Sequence, residues 1–423
     1  MACCSSSCRD RAFRQFATAG LATRARAFAL SSLWLVSGAT IASSATLRVG
    51  PGRTYTVPSA AAAVAGNGDI IEIDAGEYVG DVAFWTADDL TIRGVGGMAH
   101  LRADGNHAGG KAIWVIQGDN TTVEYIEFSE ATVPDKNGAG IRQEGTNLTV
   151  RHCSFHDNEN GILAGADASS DILIEHSEFA RNGYGDGYSH NLYIGHVNSL
   201  TFRFNSTHHA IVGHAVKSRA YTNYILYNRI MDETDGASSR LIDLPNGGTS
   251  VIIGNLLHQS ASTNNSNLLC HACEGATNPN QALSVVNNTF VNDRWTGTFV
   301  DNRAAVTALV ANNIFVGNGT AVVGPATEQT NLAVATDPSF VDISTYDYRL
   351  TSGATGAIDQ GSDPGSSGGF DLTPVAHYVH PLASEPRPTV GALDIGAYEF
   401  GREWIFTDGF ESGHHGAWSR TSP

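Results

Sequence analysis

The sequence predicts an all-β chain that folds as a single-stranded, right-handed parallel β-helix with a helical cap at its N-terminal end. Short apolar segments recur at separations of 23 to 33 residues, and Asn recurs at one position of that repeat. Charged residues make up only 16% of the 423 residues, and 46 residues are Gly. An irregular period, short strands and stacked identical residues are typical of a solenoid. A β-sandwich predicts tight hairpins instead, and a propeller predicts about four strands in each longer repeat.

The first 45 residues predict a signal peptide. Arg24 and Arg26 precede the apolar run AFALSSLWLVSGATIA, and the small residues at 43–45 offer a cleavage site. A membrane anchor fits this run less well, because the run is short and broken by Ser and Gly. No later stretch is long and apolar enough to span a membrane. We therefore expect a secreted or cell-surface protein.

Residues 46–90 are expected to form an N-terminal cap and the first rung. The segment PSAAAAVAGNGDIIEIDAGEYVG predicts a short Ala-rich helix, a turn and an apolar strand. Ser59 is placed to cap the N-terminus of that helix. A helix here would cover the end of a strand stack, whose backbone groups would otherwise lack partners.

Residues 91–330 are expected to form the β-helix itself. One apolar column aligns on Val123, Val150, Ile174, Phe202, Ile225, Ile252, Val285 and Val310. A second column lies five residues beyond each anchor, at Phe128, Phe155, Phe179, Thr207, Ile230, Leu257, Phe290 and Phe315. A third lies three residues beyond, at Ile126, Cys153, Ser177, Asn205, Asn228, Asn255, Asn288 and Asn313. Because stacked Asn side chains can hydrogen-bond to neighbouring turns, this column predicts an in-register parallel stack.

A further strand recurs between these anchors, in the segments GIRQE, GILAG, NLYIG, AVKSR, LIDLP, NLLCH and TFVDN. Its inward residues are expected at Ile141, Ile162, Leu192, Val216, Ile242, Leu268 and Phe299. The unequal separations between segments then predict corner loops of unequal length.

The repeat fades near the C-terminus. Residues 331–400, which include the stretch DIGAYEF, resemble the closing segment of exported bacterial β-helix proteins. Residues 401–423, with IFTDGFESGHHGAWS, resemble a short C-terminal tail shared by otherwise unrelated exported proteins. The resemblance implies a sorting or processing signal, and a plain polar end is the alternative.

Cysteine and acidic residues predict no metal centre. Cys270 and Cys273 are spaced for a disulfide in an exported protein, whereas a zinc site would need a second ligand pair. Cys153 lies in a repeat column, which predicts a buried, inert thiol. The acidic residues Asp232, Glu233 and Asp235 could bind calcium, with a solvated polar loop as the alternative. We therefore expect no cofactor, with Ca²⁺ as the alternative.

One column of the recurring NLYIG-type strand carries unusual chemistry. With successive turns in register, Tyr193, Lys217 and Asp243 lie side by side, and Arg142 lies two rungs before Tyr193. Arg219, two residues beyond Lys217, shares its face. The net charge of −17 opposes nucleic-acid binding, so a local cationic group such as this one is the place for an anionic ligand.

The same strands supply five candidate substrate-binding residues: His190, Asn191, His214, Asp243 and Arg142. His190 and His214 have the parity of the inward residues on their strands, so a core or corner position is the alternative for them. Lys217 and Asp243 could likewise form a simple cross-strand ion pair.

These residue types suit β-elimination on a uronic-acid polymer. The proton on C5 lies next to a carboxylate, so a cation must stabilise the enolate-like charge that develops. A base must remove that proton, and an acid must protonate the departing glycosidic oxygen. Lys217, Tyr193 and Arg219 supply these roles as the candidate catalytic residues. A glycoside hydrolase would need two suitably spaced carboxylates, but Asp243 and Glu144 are four rungs apart.

The runs HNLYIG and VGHAVKSRA resemble the active-site strands of β-helix polysaccharide lyases of the pectate-lyase-like superfamily, including alginate lyases. The resemblance implies a Tyr and Lys acid/base pair without an essential metal, which places these roles on Tyr193 and Lys217. Other β-helix lyases use calcium with Lys and Arg, and related epimerases use His and Tyr. We therefore expect a monomeric polysaccharide lyase acting on an alginate-like or pectate-like polymer. A uronate C5-epimerase and a non-catalytic adhesin are the alternatives.

Overall fold

The chain winds into a coil whose parallel strands stack on three faces. The structure, a computed structural model, describes residues 44–401. One hydrogen-bonded sheet of 21 strands supplies faces 1 and 2, and a sheet of ten strands supplies face 3. Every pairing in these two sheets is parallel and joins strands of neighbouring turns. The predicted all-β parallel β-helix is confirmed.

The stack begins with Thr46–Val49, Ile70–Val79 and Thr91–Arg102, the last of which pairs with both face 1 and face 2. Face 1 continues with Thr121–Glu124, Leu148–Arg151, Asp167–Glu175, Val197–Arg203, Thr222–Leu226, Thr249–Ile253, Leu283–Val286, Ala308–Ala311 and Ala326–Gln329. Face 2 continues with Ile126–Ser129, Ser154–His156, Glu178–Ala180, Ser206–His208, Arg229–Met231, Leu256–Gln259, Thr289–Asn292, Ile314–Gly317 and Leu332–Val334. Face 3 consists of Ala83–Trp85, Ala112–Ile116, Ala139–Gln143, Asn160–Ala164, Leu192–Ile194, Val216–Ser218, Ile242–Leu244, Asn267–His271, Thr298–Asn302 and Thr320–Val323.

The two predicted apolar columns of faces 1 and 2 are in register throughout. The face 1 column runs unbroken from Val123 to Val310, and the face 2 column runs from Phe128 to Phe315. Inside the coil the rings of Phe128, Phe155 and Phe179 stack 4.9 to 5.0 Å apart. Each fully buried ring contributes on the order of 2 kcal/mol through removal of apolar surface from water.

The Asn column forms a continuous hydrogen-bonded ladder at the corner between faces 1 and 2. The Oδ1 atom of Asn228 accepts a 2.9 Å bond from the backbone N–H of Asn205, and Asn255 does the same for Asn228. Ser177 fills the slot as predicted, because its hydroxyl accepts from the N–H of Cys153. Asn331 extends the ladder by one turn beyond the prediction.

The residue before each ladder position adopts the left-handed conformation, and the sequence analysis did not identify it. Tyr125, His152, His176, Phe204 and Tyr227 have φ between 51° and 58°. This conformation costs a non-Gly residue about 1 kcal/mol or more. Their rings stack in sequence at 4.9 to 5.6 Å on the outside of the corner, which offsets that cost.

The inward column of face 3 needs one correction. Ile141, Ile162, Leu192, Val216 and Ile242 follow the predicted register. Ile242, however, pairs with Leu269 rather than Leu268, and the next partner is Val300 rather than Phe299. All four of these later residues are buried, so hydrophobicity alone does not distinguish the two registers.

The N-terminal cap is a single turn of helix, Pro58–Ala62, that packs against the first strands of the stack. Ser59 is not its N-cap: Val57 takes that position, without a side-chain hydrogen bond. The Ser59 hydroxyl instead donates a 2.5 Å bond to Asp81. The parallel stack begins already at Thr46, so the predicted cap segment is itself part of the β-helix.

The closing segment covers the side of face 2. After Val334 the chain forms the antiparallel pairs Phe340–Asp342 with Asp347–Leu350, Ser366–Ser367 with Phe370–Asp371, and Ala376–Val379 with Ala383–Pro386, with the 3₁₀ turn Ile343–Thr345. Its residues Phe340, Tyr348 and Tyr378 pack against Met231 and Ile314 of face 2. Within DIGAYEF, Glu399 forms a buried ion pair of 2.9 Å with Arg387.

The predicted signal peptide, up to residue 43, and the predicted tail from 402 onward lie outside the described residues. Within 44–401, no helix has the length and apolar character needed to cross a membrane. Cys153 is buried and free, and burial raises the pKa of its thiol to about 12, as the prediction of an inert thiol requires.

Candidate active site on face 3

Face 3 brings the predicted column together. Tyr193 pairs with Lys217, and Lys217 pairs with Asp243, on three successive strands. Arg142 pairs with Leu163, which pairs with Tyr193, so Arg142 lies two rungs away as predicted. At about 4.8 Å per rung, Arg142 is on the order of 10 Å from Tyr193 along the stack.

Arg219 holds the Tyr193 hydroxyl. Its Nε–H donates a 2.8 Å hydrogen bond to the phenolic oxygen. A second guanidinium nitrogen donates to the amide oxygen of Asn246, and a third donates to Glu274 at 2.6 Å. Burial would lower the pKa of Arg219, but the bonds to Glu274 and Tyr193 outweigh it and raise that pKa. The guanidinium is thus a fixed cation beside the phenol.

Glu274 is a site residue that the sequence analysis missed. One carboxylate oxygen lies 3.1 Å from Lys217 Nζ and the other 2.6 Å from an Arg219 nitrogen, so the group bridges the two cations. Its side chain is 44% exposed. Burial raises its pKa, but the bonds from Arg219 and Lys217 outweigh that effect and lower it. The one feature of the sequence that could have pointed to Glu274 is its position directly after Cys273.

The loop that carries Glu274 is tied to face 3 by a disulfide. Cys270 lies on the strand next to Asp243 and is bonded to Cys273, as expected for an exported protein. The backbone N–H of Glu274 also donates to the carbonyl of Pro245. These links hold the carboxylate above the two cations.

Asp243 lies beneath the site. Its side chain has no exposed surface, so the carboxylate lies below the open face of the strand stack. One oxygen accepts a 3.0 Å bond from Arg240, and the other lies 3.7 Å from Lys217 Nζ and 3.4 Å from His214 Nε2. Burial raises its pKa against the lowering effect of Arg240 and Lys217. Asp243 therefore supports the cations from behind.

His190 and His214 form a buried stack behind Tyr193. Their rings lie 4.9 Å apart, and the His190 ring meets the Tyr193 ring edge-on at 5.4 Å. His190 Nδ1 accepts a 3.0 Å bond from the backbone N–H of His214. Burial and the neighbouring Lys217 lower the pKa of His190 to about 3, and burial lowers that of His214 well below its usual value. Both imidazoles are therefore neutral and lie buried in the wall behind Tyr193.

Asn191 is also internal. Its Oδ1 accepts from Asn182, and its Nδ2 donates to Thr207 at 2.9 Å and to the carbonyl of His208 at 3.0 Å. It has no exposed surface. Every polar atom of the amide has its hydrogen-bond partner inside the coil. Arg142 is half-buried and is the only one of the five expected binding residues on the open surface.

The acidic residues considered for calcium do not come together. Asp232 is buried and accepts from Ser238, whereas Glu233 pairs with Arg229 at 2.8 Å. Asp235 pairs with His209 at 3.1 Å. Each carboxylate therefore has its own protein partner.

Two further residues complete the site without having been foreseen. Arg240 neutralises Asp243, and Asn246 orients Arg219. Near the phenol the arrangement thus holds three cations and two carboxylates, with both imidazoles neutral. It can bind a carboxylate at Lys217 and Arg219, and it can exchange a proton through Tyr193 or Lys217. Asp243 and Glu274 do not form a hydrolase pair, because Asp243 is buried behind Lys217.

Comparisons with known proteins agree on the fold. A family model described as a right handed beta helix region matches residues 76–218. The structure of pectate lyase Pel9A matches with a TM-score of 0.60 at 13% identity, covering 86% of this chain and 98% of that one. A search of curated protein sequences finds no match.

Two structures of PL6 family alginate lyase AlyGC, one of them of a mutant, match with TM-scores of 0.33 and 0.28 at 14% and 13% identity. They cover 86% and 85% of this chain, which spans only 59% and 58% of theirs. The family model and the match to pectate lyase Pel9A agree on the fold, a right-handed parallel β-helix.

Proposed function

We propose that this right-handed β-helix is a polysaccharide lyase that cleaves a uronic-acid polymer, alginate-like or pectate-like, by β-elimination. The observation that carries the proposal is the carboxylate of Glu274 held between Lys217 and Arg219, beside the Tyr193 hydroxyl. A site that already binds a carboxylate between two cations suits the carboxylate of a uronate ring.

In this mechanism the uronate carboxylate displaces Glu274 and takes its place against Lys217 and Arg219. The fixed positive charge of Arg219 there stabilises the enolate-like charge that develops when the C5 proton leaves. Because the site groups come from neighbouring strands of one rigid sheet, they need little reorganisation as that charge forms.

Tyr193 and Lys217 exchange the two protons. One of them removes the proton from C5, and the other protonates the glycosidic oxygen as the C4–O bond breaks and the C4=C5 double bond forms. Arg219 Nε–H donates to the phenolic oxygen, which leaves the phenolic O–H directed toward another acceptor. This arrangement favours Tyr193 as the proton donor and Lys217, once neutral, as the base.

The proposal assigns the neutralising role to protein cations. The substrate would be extracellular, which agrees with the predicted signal peptide and the disulfide. A long polymer can lie along face 3 because that surface is a stack of parallel strands, and Arg142 would bind a uronate two rungs from Tyr193.

Absorbance of the C4=C5 double bond tests the proposal. Purified protein would be offered alginate, pectate, hyaluronan and a heparin-like polymer, with and without chelator. We expect rising absorbance on one of them, lost in Lys217→Met and in Tyr193→Phe. Matched controls are Lys111→Met, whose lysine pairs with Glu144 and precedes a face 3 strand four turns before that of Lys217, and Tyr125→Phe in the corner stack.

A flat trace on all four polymers would contradict the lyase assignment for these substrates. Epimerised residues without new double bonds would favour a C5-epimerase. Binding that survives in both site variants without turnover would favour a non-catalytic carbohydrate-binding protein. Loss of activity on chelation would move the neutralising role to a metal.

A further inference from the structure

Face 2 carries a second cluster of titratable side chains, on three successive turns and apart from the strands of Lys217. His100 lies opposite Glu127 in the strand register, and His156 lies opposite Ser129 on the next turn. The side chains of His100, Glu127 and His156 are 23%, 29% and 22% exposed. Each is therefore held by its surroundings but keeps one side open to solvent.

The ligand atoms of this cluster converge. His156 Nε2 lies 2.8 Å and His100 Nε2 lies 3.7 Å from the same oxygen of Glu127. The three ligand atoms all lie within 4.8 Å of one another. Ligands of a tetrahedral zinc ion are about 3.3 Å apart, from zinc–ligand bonds of about 2.0 to 2.1 Å. The two distances to Glu127 bracket that value. His100 Nε2 also lies 2.7 Å from the Ser129 hydroxyl, which can rotate its proton away when an ion binds.

The imidazole of His156 is oriented from behind, as metal-binding histidines usually are. Its Nδ1 lies 2.7 Å from Asp157 Oδ2, and Arg181 holds that carboxylate with two bonds of 2.9 and 3.0 Å. A proton on Nδ1, donated to Asp157, leaves the Nε2 lone pair free for a metal. Carboxylate–histidine–metal arrangements of this kind fix the tautomer and the ring orientation.

We propose that His100, Glu127 and His156 bind a divalent transition metal ion of the zinc class. Two imidazoles and one carboxylate suit Zn²⁺, whereas Ca²⁺ prefers six to eight oxygen ligands. Three protein ligands leave a position for water on the exposed side. Because the ligands come from three consecutive turns, a bound ion joins those turns and stabilises the N-terminal part of the coil.

A second His–Glu pair, which can serve as a control for the cluster, lies two turns further along face 2. Glu178 pairs with His208 at 3.3 Å, in the same cross-strand arrangement as Glu127 with His156. The register neighbour of Glu178 on the preceding turn is Ser154, whereas the register neighbour of Glu127 on its preceding turn is His100. His208 Nδ1 contacts His209 rather than a carboxylate. This pair serves as the control for a surface His–Glu contact without a third ligand.

Calorimetric titration of the metal-stripped, tag-free protein with ZnCl₂, and separately with CaCl₂, tests the proposal. We expect saturable zinc binding at one site, abolished or weakened more than tenfold in His100→Gln and in His156→Gln and unchanged in His208→Gln. Asp157→Asn should weaken binding by roughly tenfold, the effect expected when the orienting carboxylate is lost. Zinc should raise the melting temperature of the parent protein and of His208→Gln only.

Cobalt provides an independent readout. Co²⁺ at a site with two imidazoles should give visible absorption bands that are absent in His156→Gln. The proposal fails if the parent protein binds no zinc, if it binds calcium instead, or if both cluster variants bind zinc as the parent does. None of these outcomes depends on whether the site on face 3 is catalytic.

Discussion

Arg219 donates a 2.8 Å hydrogen bond to the hydroxyl oxygen of Tyr193 across two neighbouring strands, while the same guanidinium holds Glu274 at 2.6 Å. The bond joins the proton-transferring group of the proposed reaction to the cation that would bind the substrate carboxylate. Movement of either residue would therefore disturb both functions. The relationship is possible because Tyr193 and Lys217 are register partners and Arg219 lies two residues further along the strand.

Replacement Arg219→Lys keeps the charge but removes the fork of donors that reaches Tyr193, Asn246 and Glu274 together. We expect kcat/KM to fall by roughly 100-fold or more, the loss typical for a donor that stabilises developing charge. The absorbance assay measures it. Arg303→Lys is the control. Asp301 lies in the same column of face 3 as Lys217, and Arg303, two residues after Asp301, binds its carboxylate with two nitrogens. Equal losses in the two variants would contradict a special role for Arg219.

Replacement Glu274→Gln should improve substrate binding, because Glu274 occupies the cations that the uronate carboxylate needs. A partly exposed pair is worth up to about 1 kcal/mol, so KM should fall roughly two- to fivefold with kcat little changed. Steady-state kinetics on the active polymer measure both. Glu77→Gln removes a comparable partner from Arg102, away from face 3, and should leave KM unchanged. A higher KM in Glu274→Gln would show that Glu274 positions the cations instead of competing for them.

Stability should fall as the solution is acidified from about pH 6.5 toward pH 3. The ordinary pKa of a histidine is 6.5, and burial lowers the pKa of His190 to about 3 in the fold, so between these limits the unfolded chain binds a proton that the folded one does not. Stability is then retained above pH 6.5 and lost as the pH falls. His377, also lowered to about 3, acts in the same direction.

Urea midpoints at pH 7 and pH 5 measure this effect. His190→Asn keeps a side-chain acceptor for the backbone of His214 but does not titrate, so its loss of stability between the two pH values should be smaller. An unchanged pH dependence in this variant would show that His190 is not neutral in the fold.

Replacement Asn255→Ala breaks the ladder at its centre. It removes acceptors from Asn228 and donors to Asn288 and to the carbonyl of Ile225, all fully buried. Unpaired buried groups cost about 1 to 3 kcal/mol each, so we expect a loss of roughly 3 kcal/mol in thermal or urea unfolding. Asn255→Ser should lose less, because Ser177 fills the same slot in the native chain. Equal losses for Ser and Ala would contradict the hydrogen-bond explanation.

The sequence by itself determined the fold and its register along most of the coil. Apolar anchors and the Asn column repeat strictly enough that a one-residue slip would move every buried side chain outward, so the register from Val123 to Val310 followed from the pattern. It also determined that Tyr193, Lys217 and Asp243 are neighbours. The predicted register was off by one residue at Leu268 because both candidates on each of two strands are buried: Leu268 and Leu269, then Phe299 and Val300. The alternation of buried and exposed residues on which the prediction depends is absent there.

Only the tertiary structure decided which of these neighbours face the solvent and which loop covers them. Asp243 is buried beneath Lys217 and Arg240, and Asn191 is held inside the coil by Thr207 and the carbonyl of His208. These contacts have no period in the sequence. Glu274 lies 57 residues from Lys217, and only the winding of the coil and the disulfide bring its carboxylate to the two cations. The cluster of His100, Glu127 and His156 could also be found only in the structure. Each member lies one turn of the coil from the next in the chain, yet their ligand atoms lie within 4.8 Å of one another.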